Sequence, residues 1–212
     1  MVDTRQFNNF PPELDFLAVT RLIGETGNVR DKVSRLMKSG KIQGVVPGIY
    51  TSAPEFRKRP LSLEILANKI YRPSYVSFEF VLARAGLIPE AVFGVTSATS
   101  KRNRDFDTHL GRFSYRHLPP EVYTFGWTSE ILADGSSYLI AMPEKALLDL
   151  LYRAGSLRSI KSLEARLFED FRVDPDAFLS LNKERLISYS TRMPGDTFHI
   201  HLLRLLEKKH RA

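Results

Sequence analysis

Four punctuation signals between residues 24 and 48 narrow the local fold more than any other feature of the chain. Gly24 stops an apolar run, Gly27-Asn28 opens a new helix, Ser39-Gly40 ends it, and Pro47-Gly48 turns the chain between two β-rich runs. Glycine accepts the left-handed backbone that follows a helix C-terminus, and Pro-Gly suits a tight turn. Ahead of the first signal, residues 13–24 carry Phe16, Leu17, Val19, Leu22 and Ile23 in a helical pattern. In the next segment Val29, Val33, Leu36 and Met37 are spaced i, i+4, i+7 and i+8, one face of a 3.6-residue period. Residues 42–46 and 49–51 flank the Pro-Gly turn and read as a hairpin.

Helix, turn, helix and hairpin within about 40 residues is the layout of a winged helix-turn-helix. That module usually has three helices. Residues 1–12, ending in Pro11-Pro12, leave room for an arm or a very short first element, so the first helix is expected to be trimmed or replaced by packing from elsewhere. If the apolar face of helix 28–39 points at its own domain, Arg30, Asp31, Ser34, Arg35 and Lys38 face outward, with Lys32 on the flank. In such modules the second helix enters the major groove, where arginine can grip a guanine edge through two hydrogen bonds and lysine suits a phosphate. Lys41 and Gln43 fall on the first strand of the hairpin, whose turn is expected to reach phosphate or the minor groove. Arg57-Lys58-Arg59 lies between two prolines in a linker, 53–60, and is placed to follow the neighbouring backbone. The expected DNA contacts are Arg30, Lys32, Ser34, Arg35, Lys38, Lys41, Gln43, Arg57 and Lys58, in a domain spanning residues 1–56.

Residues 57–212 read as a second, mixed α+β domain with a helical tail, so the fold class is α+β. Leu63, Leu66, Ala67 and Ile70 share a helix face, and Ser77 can cap a helix bearing Phe78, Val81, Leu82 and Ala85 that Gly86 closes. Residues 91–98, 113–118, 122–128 and 137–141 are candidate strands, with a polar basic loop at 99–107. Pro143 suits a first helical position and opens a helix with Ala146, Leu147, Leu150 and Leu151 on one face. From Ser159 to His210 the pattern is almost wholly helical.

Charge adds a partner class. The net +7 is uneven: residues 1–60 hold 10 Lys/Arg against 6 Asp/Glu, residues 61–152 hold 9 against 10, and residues 153–212 hold 12 against 8. Two positive ends around a neutral middle favour capture of a polyanion. The chain has no cysteine, which excludes disulfides, thiolate chemistry and cysteine zinc sites. No window approaches the roughly 20 apolar residues of a membrane helix. Residues 1–10 are polar and lack the apolar core of a signal peptide, so a cytoplasmic location without cofactor or metal is expected.

Longer runs carry a family resemblance. SRLMKSGKIQGVVPGIYTSAP (34–54), IYRPSYVSFEFVLARAGLIPE (70–90), FGVTSATSKRNRDF (93–106) and MPEKALLDLLY (142–152) resemble, in that order and spacing, the AbiEi antitoxins of type IV toxin–antitoxin systems linked to abortive phage infection. The likeness covers about residues 16–155, with Pro143, Glu144, Leu147, Leu148 and Asp149 matching a Pro-Glu-Arg/Lys-x-Leu-Leu-Asp run. It implies an N-terminal winged helix that binds repeats in its own promoter. It further implies a C-terminal domain that opposes a nucleotidyltransferase-like toxin without forming a stable complex with it.

In the second domain Lys101, Arg102 and Arg104 are expected in one loop, with Arg112 and Arg116 on the next strand. They form either a positive surface or a solvated loop neutralised by Asp105 and Asp107. Enzyme readings fit poorly. A nucleotidyltransferase needs a Gly-Ser turn before an Asp-x-Asp pair, but Gly135-Ser136 follows Asp105 and Asp107. A metal-dependent nuclease needs an Asp and a Glu-x-Lys on adjacent strands, whereas Glu144-Lys145 opens a helix, where Glu144 suits the helix dipole. His199 and His201 are spaced for one strand face but lack a third ligand. The alternatives to DNA binding are a protein-interaction module and, behind it, that nuclease.

Overall fold

The apolar residues of the chain gather into two clusters, and each recruits its own sheet. The computed structural model describes residues 10–23, 28–57, 59–90, 93–155, 159–194 and 198–210. The smaller cluster is built from Phe10, Leu14, Val19, Val33, Leu36 and Ile42. Around it stand β1 (Glu13–Asp15), α1 (Phe16–Ile23), α2 (Val29–Lys38), β2 (Ile42–Val46) and β3 (Ile49–Ser52). The Asn28 side chain accepts the Arg30 N–H at 3.1 Å and caps α2, while Gly40 takes φ +70° just beyond its end. Asp31 in the first turn and Arg35 and Lys38 in the last complement the helix dipole.

The start of this unit differs from the periodicity reading. Residues 13–15 are a strand, not helix: Glu13 sits opposite Thr51 and Asp15 opposite Ile49, giving a three-stranded sheet in the order β1-β3-β2. Pairing with β3 satisfies the backbone there, and the Asp15 carboxylate accepts the Ala18 N–H at 2.8 Å, so the helix begins at Phe16. That later start leaves Phe16 and Leu17 exposed, at 41% and 57%.

The strands flanking the hairpin turn rest on the larger unit, while Pro47 at the turn stays exposed. The Gly48 carbonyl, at a residue with φ +83°, accepts the Phe16 N–H at 2.8 Å. Ile49 is buried in the larger cluster, and Val45 and Val46 pack against it. A bifurcated anchor holds the units together. Arg59 donates to both oxygens of the buried Glu13 at 2.9 and 2.7 Å and to Asp134 at 2.6 Å, and Glu13 also accepts the Ser62 N–H at 2.6 Å. Arg59 is thereby spent on structure and is not the free basic residue expected in the linker. Glu13→Ala takes two acceptors from this guanidinium, leaving it Asp134, and strips the Ser62 amide of its partner, and is expected to cost about 2–3 kcal/mol in urea unfolding; a loss under about 0.5 kcal/mol would remove the anchor's importance.

The larger unit carries a six-stranded sheet in the order β6-β7-β5-β4-β9-β8. Its strands are β4 (Ser74–Val76), β5 (Gly94–Thr99), β6 (Arg104–Thr108), β7 (Gly111–His117), β8 (Trp127–Ile131) and β9 (Ser137–Ala141). The pairs β4/β9 and β5/β7 are parallel and the others antiparallel. α3 (Leu63–Ile70) covers one face, where the Tyr115 hydroxyl donates to the Ala67 carbonyl at 2.6 Å. α4 (Glu79–Arg84) and α6 (Pro143–Arg153) cover the other. A short helix, α5 (Pro120–Tyr123), takes the start of the strand expected at 122–128, since Pro119-Pro120 sets a helical start, and only residues 127–128 of that stretch are extended, as the start of β8. Residues 104–107 of the expected basic loop belong to strand β6, and β4 was unanticipated because three residues show no period. Ser77 does not cap α4: its hydroxyl donates to Asp149 at 2.7 Å, and Phe78 at φ +58° precedes the helix instead.

The tail folds back as α7 (Ile160–Ala165), a π-turn at Arg166–Asp170, α8 (Pro175–Ser180), α9 (Lys183–Ser190) and α10 (Phe198–His210). Leu163, Leu167, Phe178, Leu186, Leu202, Leu205 and Leu206 join the large core, so the tail is part of it. The fold is mixed α+β with a helical C-terminal tail. Among the described residues no helix is long and apolar enough to cross a membrane.

Candidate nucleic-acid interface

Because Val33 and Leu36 are buried against the small cluster, the opposite side of α2 faces solvent. Arg30, Asp31, Ser34, Arg35 and Lys38 are all exposed there. Arg30, Arg35 and Lys38 make no ion pair among the described residues, and Asp31 is the single acid of that face. Met37 is exposed too, contrary to its assignment to the apolar face, with its methyl beside Gly44. Missing a side chain, Gly44 lets this flank of α2 lie close over β2.

Other predicted contacts are placed less favourably. The Lys32 ammonium donates to the Ile23 carbonyl at 3.2 Å, closing the α1–α2 connection. Lys41 is half-buried at the end of α2, and Gln43 is exposed on β2. Arg57 donates through Nε to the Ser52 carbonyl at 2.8 Å and its backbone bridges Phe10, so it belongs to the edge of the small sheet. Lys58 lies outside the described residues. Of the hairpin turn Pro47 is exposed, and the neighbouring Val45, Val46 and Ile49 pack against the larger unit.

The five-residue basic cluster of the second unit is divided by the sheet. Arg104 sits opposite Tyr115 and Asp105 opposite Ser114, so neighbours on β6 point to opposite faces. On the α6 face Arg112 and Arg116 bond Asp105 at 3.0 and 2.5 Å. The Arg116 guanidinium holds the Asp105 carboxyl at about 2, well below the ordinary carboxylate. On the α3 face Arg104 stands 5.7 Å from the centre of the Tyr71 ring and Lys101 stands 5.4 Å from it. Strand parity could have separated the cluster, had residues 104–108 been read as a strand.

A third arrangement is sealed inside. Lys145 and Asp149, one turn apart on α6, form an ion pair with both side chains fully buried. The Tyr75 hydroxyl donates to Asp149 at 3.0 Å and accepts from the Lys145 ammonium at 3.0 Å, while Ser77 supplies a further donor to Asp149. Burial pushes the Lys145 ammonium down and the Asp149 carboxyl up, and their contact opposes both shifts. Gly126, at φ +76°, makes room for the lysine stem: a methyl group there would lie 2.8 Å from its carbons. With no access to solvent the quartet holds α6 to β4 and touches no ligand. Glu144 is also buried: it accepts the Asn182 N–H at 2.9 Å and pairs with Arg185 at 3.3 Å, which fixes α9 and goes beyond the helix-dipole role expected of it. Glu144 and Lys145 therefore lead to separate partners and do not converge on one metal position. His199 and His201 lie on a helix rather than a strand. Among the described residues no group of three His, Cys, Asp or Glu is placed to hold a metal ion.

No protein-family profile and no curated protein matches the chain. Its fold is similar to the crystal structure of the RV2827C protein from Mycobacterium tuberculosis, with a TM-score of 0.57. Identity is 13% over 94% of this chain and 72% of that one, a likeness of fold alone.

Proposed function

We propose that this chain is a DNA-binding transcriptional regulator of the cytoplasm, related to the antitoxins of type IV systems. α2 is inserted in the major groove, with Arg30 and Arg35 at base edges and Lys38 and Ser34 at phosphates or flanking bases. Lys41 and Gln43, at the base of the hairpin, add contacts, and the turn with its exposed Pro47 meets phosphate or the minor groove. The observation that carries this reading is the exposed side of α2, where three cations without ion-pair partners among the described residues stand against one acid. The order β1-α1-α2-β2-β3, with β1 closing the hairpin sheet, supports a winged module whose first helix is dispensable. The chain represses its own promoter by occupying repeated sites, and the larger unit opposes a nucleotidyltransferase-like toxin without a lasting complex.

The test is a gel shift on DNA upstream of the gene, repeated across a salt series. The regulator reading expects a retarded band that weakens steeply as salt rises, because phosphate contacts release counterions. Lys38→Ala is expected to weaken operator and unrelated DNA alike and to lower the salt slope by about 1. A second reading has support from one observation: exposed Phe16 and Leu17 on α1 fit a protein partner. It gains if no salt-sensitive band forms at any ratio of protein to DNA.

A further inference from the structure

On the α3 face of the large sheet the chain holds unpartnered positive charge around a hollow. An open cleft of about 680 Å³ is lined by Tyr71, Ser100, Lys101, Arg102, Asn103 and His117. Lys101 and Arg104 share the Tyr71 ring, and Arg104 also lies 4.8 Å from the centre of Phe106. Each cation gains from the negative face of the ring, yet two like charges over one ring repel. Among the described residues Lys101, Arg102 and Arg104 make no ion pair, whereas Arg112 and Arg116, on the other face, are neutralised by Asp105. The carboxylate nearest in sequence is thus turned away by strand parity, and the cleft has none in its lining.

The loop that carries the cations is also braced. Thr99 Oγ1 accepts the Lys101 N–H at 3.2 Å and donates to the Pro73 carbonyl at 2.8 Å. Asn103 Oδ1 accepts the His117 N–H at 2.6 Å, and His117 Nδ1 lies 3.0 Å from the Lys101 carbonyl. These bonds tie residues 99–103, with Lys101 and Arg102 in the cleft lining, to the ends of β4 and β7. Tyr71 itself is held by a tilted contact with Phe106 and an edge contact with Tyr115, ring centres 6.1 and 5.2 Å away. Convergent donors on a fixed loop, an aromatic floor and no acid are the makings of a phosphate site.

We propose that the cleft beside Tyr71 binds the phosphoryl group of a nucleotide, held by Lys101 and Arg102 in its lining and by Arg104, which stands beside the same Tyr71 ring at its edge. The nucleotide is either free or part of a single strand, and the phosphate chemistry is common to both. The proposal is independent of the DNA-reading role of α2, whose residues it does not use.

Calorimetry with the full chain tests it, using ATP, adenosine and a short single-stranded oligoadenylate as probes. Lys101→Ala with Arg104→Ala is compared with Lys161→Ala with Lys183→Ala, which removes the same charge from exposed positions elsewhere. ATP binding that adenosine fails to reproduce, lost at least tenfold in the first variant and kept in the second, supports the proposal with a free nucleotide as ligand. The same pattern with the oligonucleotide alone supports it with a strand as ligand. Absence of binding by either probe, or equal losses in the two variants, overturns it. So does a first variant that is impaired on duplex operator DNA alone, since the cleft would then merely extend a duplex contact. Circular dichroism of both variants, expected to be unchanged, excludes misfolding as the cause of a loss.

Discussion

Asp149→Ala is expected to destabilise the protein by about 3–5 kcal/mol, the largest single-residue effect outside the purely apolar core. The carboxylate is fully buried, pairs with an equally buried Lys145, and accepts hydrogen bonds from Tyr75 and Ser77. Removing it leaves an ammonium whose remaining neighbours are the neutral Tyr75 hydroxyl, 3.0 Å away, and the ring face of Phe125, 4.9 Å away. Water cannot reach that charge without opening α6 from β4. Lys145→Met combined with Asp149→Leu removes both charges and is expected to recover most of the loss, because the pair's desolvation then disappears as well. Urea unfolding at neutral pH reads both numbers. If the single variant loses less than about 1 kcal/mol, or the double variant is no better than the single, the buried charge is not what holds α6 in place.

Arg30→Ala combined with Arg35→Ala is expected to weaken operator binding by about 2–6 kcal/mol, taking about 1–3 kcal/mol for each lost base contact. Both side chains are exposed and the buried residues of α2, Val33 and Leu36, are untouched, so stability is expected to stay within about 0.5 kcal/mol. The loss is expected to be larger on the operator than on unrelated DNA. Lys38→Ala weakens both equally, and the contrast separates base reading from phosphate anchoring. Equal affinity of the double variant and the parent, measured by fluorescence anisotropy at one fixed salt concentration, would dismiss α2 as the reading helix.

How far these residues were legible in the sequence depends on the range of the physics involved. α2 was placed to within a residue because an asparagine cap, a 3.6-residue apolar period and a terminal glycine are all local signals. The outward side of α2 follows from that same period, which is why Arg30, Ser34, Arg35 and Lys38 emerge where expected. The helix at Pro143 and the helical tail were readable for the same reason. Residues 13–15 misled, because their extended state comes from pairing with Thr51, Tyr50 and Ile49, about 35 residues on. Arg59 read as a free basic residue until Glu13 and Asp134, from both units, closed on it.

The sequence by itself determined the identity, order and exposed faces of the strongly periodic elements, since helix capping and amphipathic spacing act within one or two turns. Only the tertiary structure decided which charges are free. It pairs Arg112 and Arg116 with Asp105, leaves Lys101 and Arg104 over Tyr71, buries Lys145 against Asp149, and seats the strands flanking the hairpin turn on the larger unit. Those outcomes depend on strand register and on contacts between distant segments, where a shift of one residue exchanges the two faces of a sheet.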